Sequence, residues 1–303
     1  MTKLDQIENR LRREFPNLEL RRGEPMSRHT TFRVGGPAAL MVLPGDEEEL
    51  LGAAQAALDE GVTPLLVGNG SNLLVADRGV DAFVIKTAPR VSRVEADGTT
   101  LYAGAGISLA QLAAQAAKRS LTGLEFAHGI PGSLGGGVVM NAGAYGGEMC
   151  QVICLVRAVD AQGRVRELTG QNCAFSYRHS LFSQGDWLIL GAAVGLSPGD
   201  PQAIRARMED LMGRRKEKQP LEYPSAGSTF KRPQGHFAAA LIEQCGLKGL
   251  RVGGAQVSEK HAGFIINTGG ATCRDILALI DQVRERVLRE TGVELEPEVK
   301  YVK

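Results

Sequence analysis

Between residues 129 and 147 the chain carries no formally charged residue and no histidine, and eight of those nineteen positions are glycine. So uncharged a stretch could suit a membrane, but so much glycine undermines any spanning helix, and the segment reads as a loop-rich element of a folded chain. Glycine lets backbone N–H groups converge and come close to a bound phosphate. Gly129-Ile130-Pro131-Gly132-Ser133-Leu134-Gly135-Gly136-Gly137, extended by Asn141-Ala142-Gly143-Ala144-Tyr145-Gly146-Gly147, therefore favours a dinucleotide cradle. The competing reading is a set of tight turns under close-packed strands.

A second candidate is Val67-Gly68-Asn69-Gly70-Ser71-Asn72, which follows a short apolar strand at 64–67 and leads into another apolar run at 73–75. No helix pattern comes after it, so it fails as a Rossmann fingerprint, and it lacks the Lys-Ser/Thr of a nucleotide-triphosphate loop. Alone it carries little weight.

The rest of the chain reads as a mixture of helix and sheet. Its 303 residues exceed one ordinary core, so two or three compact units are expected, with a boundary at Ser197-Pro198-Gly199-Asp200-Pro201. Helical spacing predicts one face with Leu4, Ile7, Leu11 and Phe15, a second with Leu50, Leu51, Ala54 and Leu58 after Asp46, and a third over 108–118 with Leu109, Leu112 and Ala116. A further helix over 202–212 ends in the basic run Arg214-Arg215-Lys216-Glu217-Lys218. Thr272-Cys273-Arg274-Asp275 fits a capping box ahead of Ile276, Leu279, Ile280, Val283 and Val287, and Gly292 closes that helix. Strands are expected over 81–86, 90–96, 99–103, 152–160, 164–168 and 187–196. Val293, Leu295, Val299 and Tyr301 alternate with charged residues as a half-buried strand would.

Lys plus Arg number 35 against 34 Asp plus Glu, so nothing in the charge balance points to nucleic acid. The charged N-terminus lacks the apolar core of a secretory signal, and five cysteines without a CxxC pair read as reduced thiols of a cytoplasmic protein. Cys150 and Cys154, beside Val152, Ile153 and Leu155, are expected to pack inward, and no metal site is expected.

No Gly-x-Ser-x-Gly elbow is present, and the histidines are scattered, so a nucleophile triad is hard to build. Three polar features stand out: Tyr177-Arg178-His179, Ala226-Gly227-Ser228-Thr229-Phe230, and Glu298. Each has a plain alternative in a surface ion pair, a turn cap or a solvated row, and the basic run could equally be a solvated helix end.

Taken in order, Thr31-Phe32-Arg33-Val34-Gly35-Gly36-Pro37, Gly68-Asn69-Gly70-Ser71-Asn72, Gly129-Ile130-Pro131-Gly132-Ser133-Leu134-Gly135-Gly136, Asn141-Ala142-Gly143, Ser176-Tyr177-Arg178, Ala226-Gly227-Ser228 and Leu295-Glu296-Pro297-Glu298-Val299 span nearly the whole chain. In this respect the sequence resembles the UDP-N-acetylenolpyruvoylglucosamine reductases, flavoenzymes of peptidoglycan precursor synthesis. The resemblance implies an α+β fold. It would comprise a two-subdomain FAD-binding unit of the vanillyl-alcohol-oxidase type over 1–75 and 76–200, then a smaller α/β substrate-binding domain over 201–303.

The resemblance further implies non-covalent FAD, NADPH as hydride donor and UDP-N-acetylglucosamine enolpyruvate as substrate. It assigns Arg178, Ser228 and Glu298 to catalysis, with Ser228 as proton donor and the other two at the substrate carboxylate. FAD contacts would come from Arg33, Gly68, Asn69, Gly70, Ser71, Asn72, Gly104, Gly129, Ile130, Pro131, Gly132, Ser133, Gly135, Gly136, Asn141 and Gly143. Arg214, Lys218 and His261 would meet the substrate. Between Arg178 and Pro201 there is no tyrosine, so the chain is like the shorter form of the enzyme, without a tyrosine-bearing insertion. Two rival readings are another flavin oxidoreductase of the same fold, acting on a small alcohol or hydroxy acid, and a non-catalytic UDP-sugar-binding protein.

Overall fold

Strands rich in β-branched and aliphatic residues and helices with one apolar face are both present, and the computed structural model, which describes residues 1–184 and 187–303, combines them in an α+β fold. The chain gathers into two units. The first comprises Met1–Gly23, Ala39–Asn69 and Ala82–Gly213; the second comprises Glu24–Ala38, Gly70–Asp81 and Arg214–Lys303.

In the first unit, helices α1 (Lys3–Glu14) and α2 (Glu47–Asp59) cover the sheet ordered Glu19–Pro25, Pro37–Leu43, Val80–Lys86, Leu65–Val67. Ile7 and Leu11 are buried as the spacing predicts. On α2 the buried residues are Leu50, Ala53, Ala56 and Ala57, while Leu58 is exposed, a correction to the predicted face. The cause is a close approach. A Cβ on Gly52 would lie 2.3 Å from the Phe15 ring, so the small side chains turn to the core.

A five-stranded antiparallel sheet forms the rest of this unit, ordered Val165–Thr169, Ile153–Val159, Leu188–Gly195, Thr100–Gly104, Val94–Asp97. The central strand buries nearly every residue, and the two edge strands are largely exposed. The strand expected from residue 90 begins only at Val94, because Val91 N–H donates to the Thr87 carbonyl and curls the chain there. Helices α3 (Leu109–Lys118) and α4 (Leu134–Val139) share a core with the sheet through Leu109, Leu112, Leu134, Val138, Val156 and Val194. Cys150 and Cys154 are exposed rather than packed inward: Cys150 lies in a single 3-10 turn and Cys154 points outward from its strand.

Helix α5 (Pro201–Lys218) opens beneath the Asp200 carboxylate, which accepts from Gln202 and Ala203 N–H. It continues past Met212 through Gly213 and the basic run, and ends shortly before Pro220, which cannot take a mid-helix position. The second unit adds α6 (Ala238–Gln244) and α7 (Cys273–Thr291), the antiparallel sheet Arg251–Val252, Ala255–Val257, Ile265–Asn267, and Lys300–Val302 paired in parallel with Leu73–Val75. Tyr301, expected on the core side, is exposed, and only Val302 of that strand is partly covered.

The capping box at Thr272 and Asp275 and the left-handed Gly292 delimit α7 as the sequence predicts. Asp77 adds a second cap: its carboxylate accepts from Cys273 N–H at 2.7 Å and Arg274 N–H at 3.0 Å. Asp77→Ala leaves both donors at the positive end of the helix dipole without their acceptor and should lower stability by about 1–2 kcal/mol in chemical denaturation. An unchanged midpoint would show that water replaces the carboxylate without loss.

Candidate active site

The glycine-rich segment is not all loop. Ser133 caps α4, its hydroxyl accepting from Gly136 N–H, and the segment is laced along 105–109: Gly135 N–H donates to Ala105, Leu134 to Ile107, and Leu109 to Gly132. Two of its glycines answer to packing, since a Cβ on Gly135 would meet Ala105 at 3.1 Å and one on Gly137 would meet Leu109 at 3.2 Å. Gly104 is likewise pressed on a neighbour, the Val91 carbonyl.

Gly136 is different. It is exposed, and a Cβ there would meet only the Ser133 hydroxyl, at 3.5 Å, so no contact within the chain explains a bare backbone in mid-helix. Ile130 is partly packed against the core and Pro131 is exposed.

Gly68 approaches the same segment: a Cβ on it would fall 2.1 Å from the Ser133 hydroxyl. Its carbonyl accepts from Lys86 Nζ at 2.8 Å. The N–H groups of Asn69, Gly70 and Ser71 have no hydrogen-bond acceptor among the described residues. Gly70, at φ +63°, has the His29 carbonyl where a Cβ would sit. A run of uncommitted amides beside glycine is the form of an anion-binding nest, so the segment of little weight in the sequence also offers donors. Within the first unit, the Asn69 N–H beside Gly68 fits a phosphate, and the open backbone at Gly136 fits its close approach.

Arg178 lies in the first unit, in a tight turn closed by reciprocal hydrogen bonds between Ser176 and His179. Its φ is +55°, an unfavourable conformation for a side chain with a Cβ, and its guanidinium lies over the Tyr177 ring and donates to the Gly143 carbonyl at 3.3 Å. Asn141 holds the turn. Fully buried, its amide donates to Glu148 and to the Ser176 carbonyl and accepts from Cys150 N–H. Gly143 belongs to the adjacent hairpin, where a Cβ would strike Glu148.

Ser228 and Glu298 lie in the second unit, on two extended segments joined through Thr229, a residue the sequence reading did not single out. Thr229 N–H donates to Gly263, its hydroxyl accepts from Ile265 N–H, and its carbonyl accepts from Glu298 N–H at 2.8 Å. Asn72 donates to the Glu298 carbonyl from the other side. Ser228 is exposed, next to Gly227 at φ +75°. The only sequence signal for Thr229 was its place beside Ser228.

His261 supports the same framework. Its Nδ1 accepts from Gly263 N–H at 3.1 Å, and burial lowers its pKa, so it is neutral near pH 7 with its proton on Nε2. Arg214 and Lys218 stand one turn apart and exposed on α5, and Lys260 Nζ caps the helix at the Lys216 carbonyl. Arg33, also exposed, has φ +56°.

The sequence matches the family models described as FAD binding domain over residues 38–169 and as UDP-N-acetylenolpyruvoylglucosamine reductase, C-terminal domain, over residues 219–302. It is 49% identical over 279 residues to the UDP-N-acetylenolpyruvoylglucosamine reductase of Caldanaerobacter subterraneus subsp. tengcongensis, covering 92% of each chain. Against that of Syntrophomonas wolfei identity is 47% over 288 residues, covering 95% of this chain and 96% of the other. Among solved structures, the UDP-N-acetylenolpyruvylglucosamine reductase of Thermus caldophilus superposes with a TM-score of 0.82 at 35% identity, covering 95% and 99%.

Gly136→Ala should raise the stability of the flavin-free protein by about 0.5–1 kcal/mol, as alanine does in a helix interior, while weakening FAD binding. Thermal melts of the flavin-free protein and a fluorescence titration with FAD separate the two effects. Unaltered FAD affinity would remove this position from the cradle.

Proposed function

The chain belongs to the UDP-N-acetylenolpyruvoylglucosamine reductase family, and on that premise we propose that it reduces the enolpyruvyl ether of UDP-N-acetylglucosamine enolpyruvate to UDP-N-acetylmuramate, with non-covalent FAD and with NADPH as hydride donor. Bound FAD supplies the relay that takes a hydride from NADPH and passes it to the methylene carbon of the substrate. Residues 1–75 and 76–200 act as the FAD-binding subdomains and 201–303 as the substrate domain. The enzyme works in the cytoplasm, in keeping with the absence, among the described residues, of any helix long and apolar enough to cross a membrane.

Hydride arrival at the methylene carbon pushes electron density onto the neighbouring carbon and its carboxylate. Arg178 meets that charge. A guanidinium held by Gly143 and by the ring of Tyr177 binds the enolate, with its added negative charge, more strongly than the ground-state carboxylate, which lowers the barrier rather than only the substrate affinity. Ser228 donates the proton that completes the reduction at that carbon. Its hydroxyl is a weak acid, but the carbanion is a strong base, so placement matters more than acidity. Glu298 orients the carboxylate end, and Arg214 and Lys218 take the diphosphate of the nucleotide.

The observation that supports this reading most is the framework around Thr229, which ties the segment carrying Ser228 to the segment carrying Glu298. A serine and a glutamate far apart in sequence are thus brought into register by main-chain hydrogen bonds. Such an arrangement suits a proton donor that must meet a short-lived carbanion.

Under anaerobic conditions NADPH should bleach the bound flavin, and the enolpyruvyl substrate should restore its colour; failure of the second step would refute the assignment. Ser228→Ala should leave bleaching by NADPH unchanged and slow recolouring by roughly 10²–10⁴-fold. Equal loss in both steps would exclude the serine as proton donor.

A further inference from the structure

Lys86 ends the strand Val80–Lys86, opposite Val67 in the parallel pair that leads into Gly68. The three residues before it, Phe83, Val84 and Ile85, are fully buried, and Lys86 itself is half-buried. An ammonium has three donors. One reaches the Gly68 carbonyl, and the other two have no partner among the described residues.

None of the ion pairs among the described residues includes Lys86, and desolvation lowers its pKa to about 8. A half-buried charge with no counter-charge is unfavourable, and proteins keep such a group where a partner arrives later. The surroundings specify the sign and the place. Gly68 lies against Ser133 of the glycine-rich segment, the next N–H, that of Asn69, is uncommitted, and Gly136 leaves open space one helical turn from Ser133. Donors gather there, and among the described residues no carboxylate pairs with the lysine.

We propose that Lys86 supplies the positive charge that binds the diphosphate of FAD, standing behind the Gly68 turn where the two glycine segments meet. The proposal rests on reading those two segments as the diphosphate cradle. Backbone amides offer only partial charges, whereas a diphosphate carries full ones, so a nest built from glycine amides gains from one cation placed at close range. Because that cation already holds the Gly68 carbonyl, it also fixes the turn whose amides do the rest.

The test uses the deflavinated protein, titrated separately with FAD and with riboflavin, which has the ring system but no phosphate. Lys86→Gln keeps an N–H for the Gly68 carbonyl but has no charge; Lys86→Arg keeps the charge. K86Q should weaken FAD binding at least about tenfold, leave riboflavin binding within about twofold, and leave the melting temperature of the flavin-free protein unchanged or higher. K86R should retain most of the FAD affinity.

The proposal is overturned if K86Q binds FAD like the parent protein, or if it loses FAD and riboflavin affinity by the same factor, the result expected of a lysine that only pins the turn. Gly136→Ala distinguishes the two readings. If it weakens FAD binding while K86Q does not, the lysine assignment alone fails; if neither variant changes FAD affinity, the cradle itself lies elsewhere.

Discussion

A backbone that comes within about 3 Å of a neighbour has no room for a side chain, and the first unit depends on that constraint. A Cβ on Gly68 would collide with the Ser133 hydroxyl, one on Gly104 with the Val91 carbonyl and one on Gly52 with the Phe15 ring, while one on Gly135 would crowd Ala105 at 3.1 Å. The close approach of Gly135 to Ala105 lets the segment 132–135 lie hydrogen-bonded along 105–109, so that α4 starts at a defined place. The constraint stops at Gly136, where a Cβ would make only an ordinary contact with the Ser133 hydroxyl, at 3.5 Å.

What a short window of sequence could reveal was decided by how local the physics is. Helix caps depend on groups three residues apart, so Thr272 with Asp275 and Asp46 ahead of α2 were legible. The buried row of α7 was legible for the same reason. The face of α2 was not, because the choice between Leu58 and the alanines is made by how closely Phe15 comes to Gly52, a distance no periodicity encodes. Nor did apolar neighbours settle the fate of Cys154, since adjacent residues of a strand face opposite ways, or of Cys150, which lies in a 3-10 turn.

The candidate site divides along the same line. Residue types able to carry chemistry, such as Arg178, Ser228 and Glu298, are visible as letters, and their order along the chain suggested the family before any geometry. The groups that aim them are not visible, because they act through hydrogen bonds between distant backbone segments. Thr229 is the clearest case: three of its groups are committed to residues 263, 265 and 298, and an unremarkable threonine in a turn becomes the joint of the framework.

Two asparagines carry this further. Asn72 and Asn141 lie in glycine-rich loops and read naturally as ligand contacts, yet their amides engage the chain itself, Asn72 at the Glu298 carbonyl and Asn141 at the Ser176 carbonyl that opens the Arg178 turn. A short amide in a loop suits this work because it satisfies a backbone donor or acceptor locally without demanding a regular ladder. Asn141, buried and donating to Ser176, helps hold the neighbouring Arg178 at a positive φ that the turn would otherwise relax. The amides thus set the placement of the segments that carry Glu298 and Arg178. On such a scaffold, polar loop residues constrain geometry, so substitutions at them should be read first through the segment that each one holds.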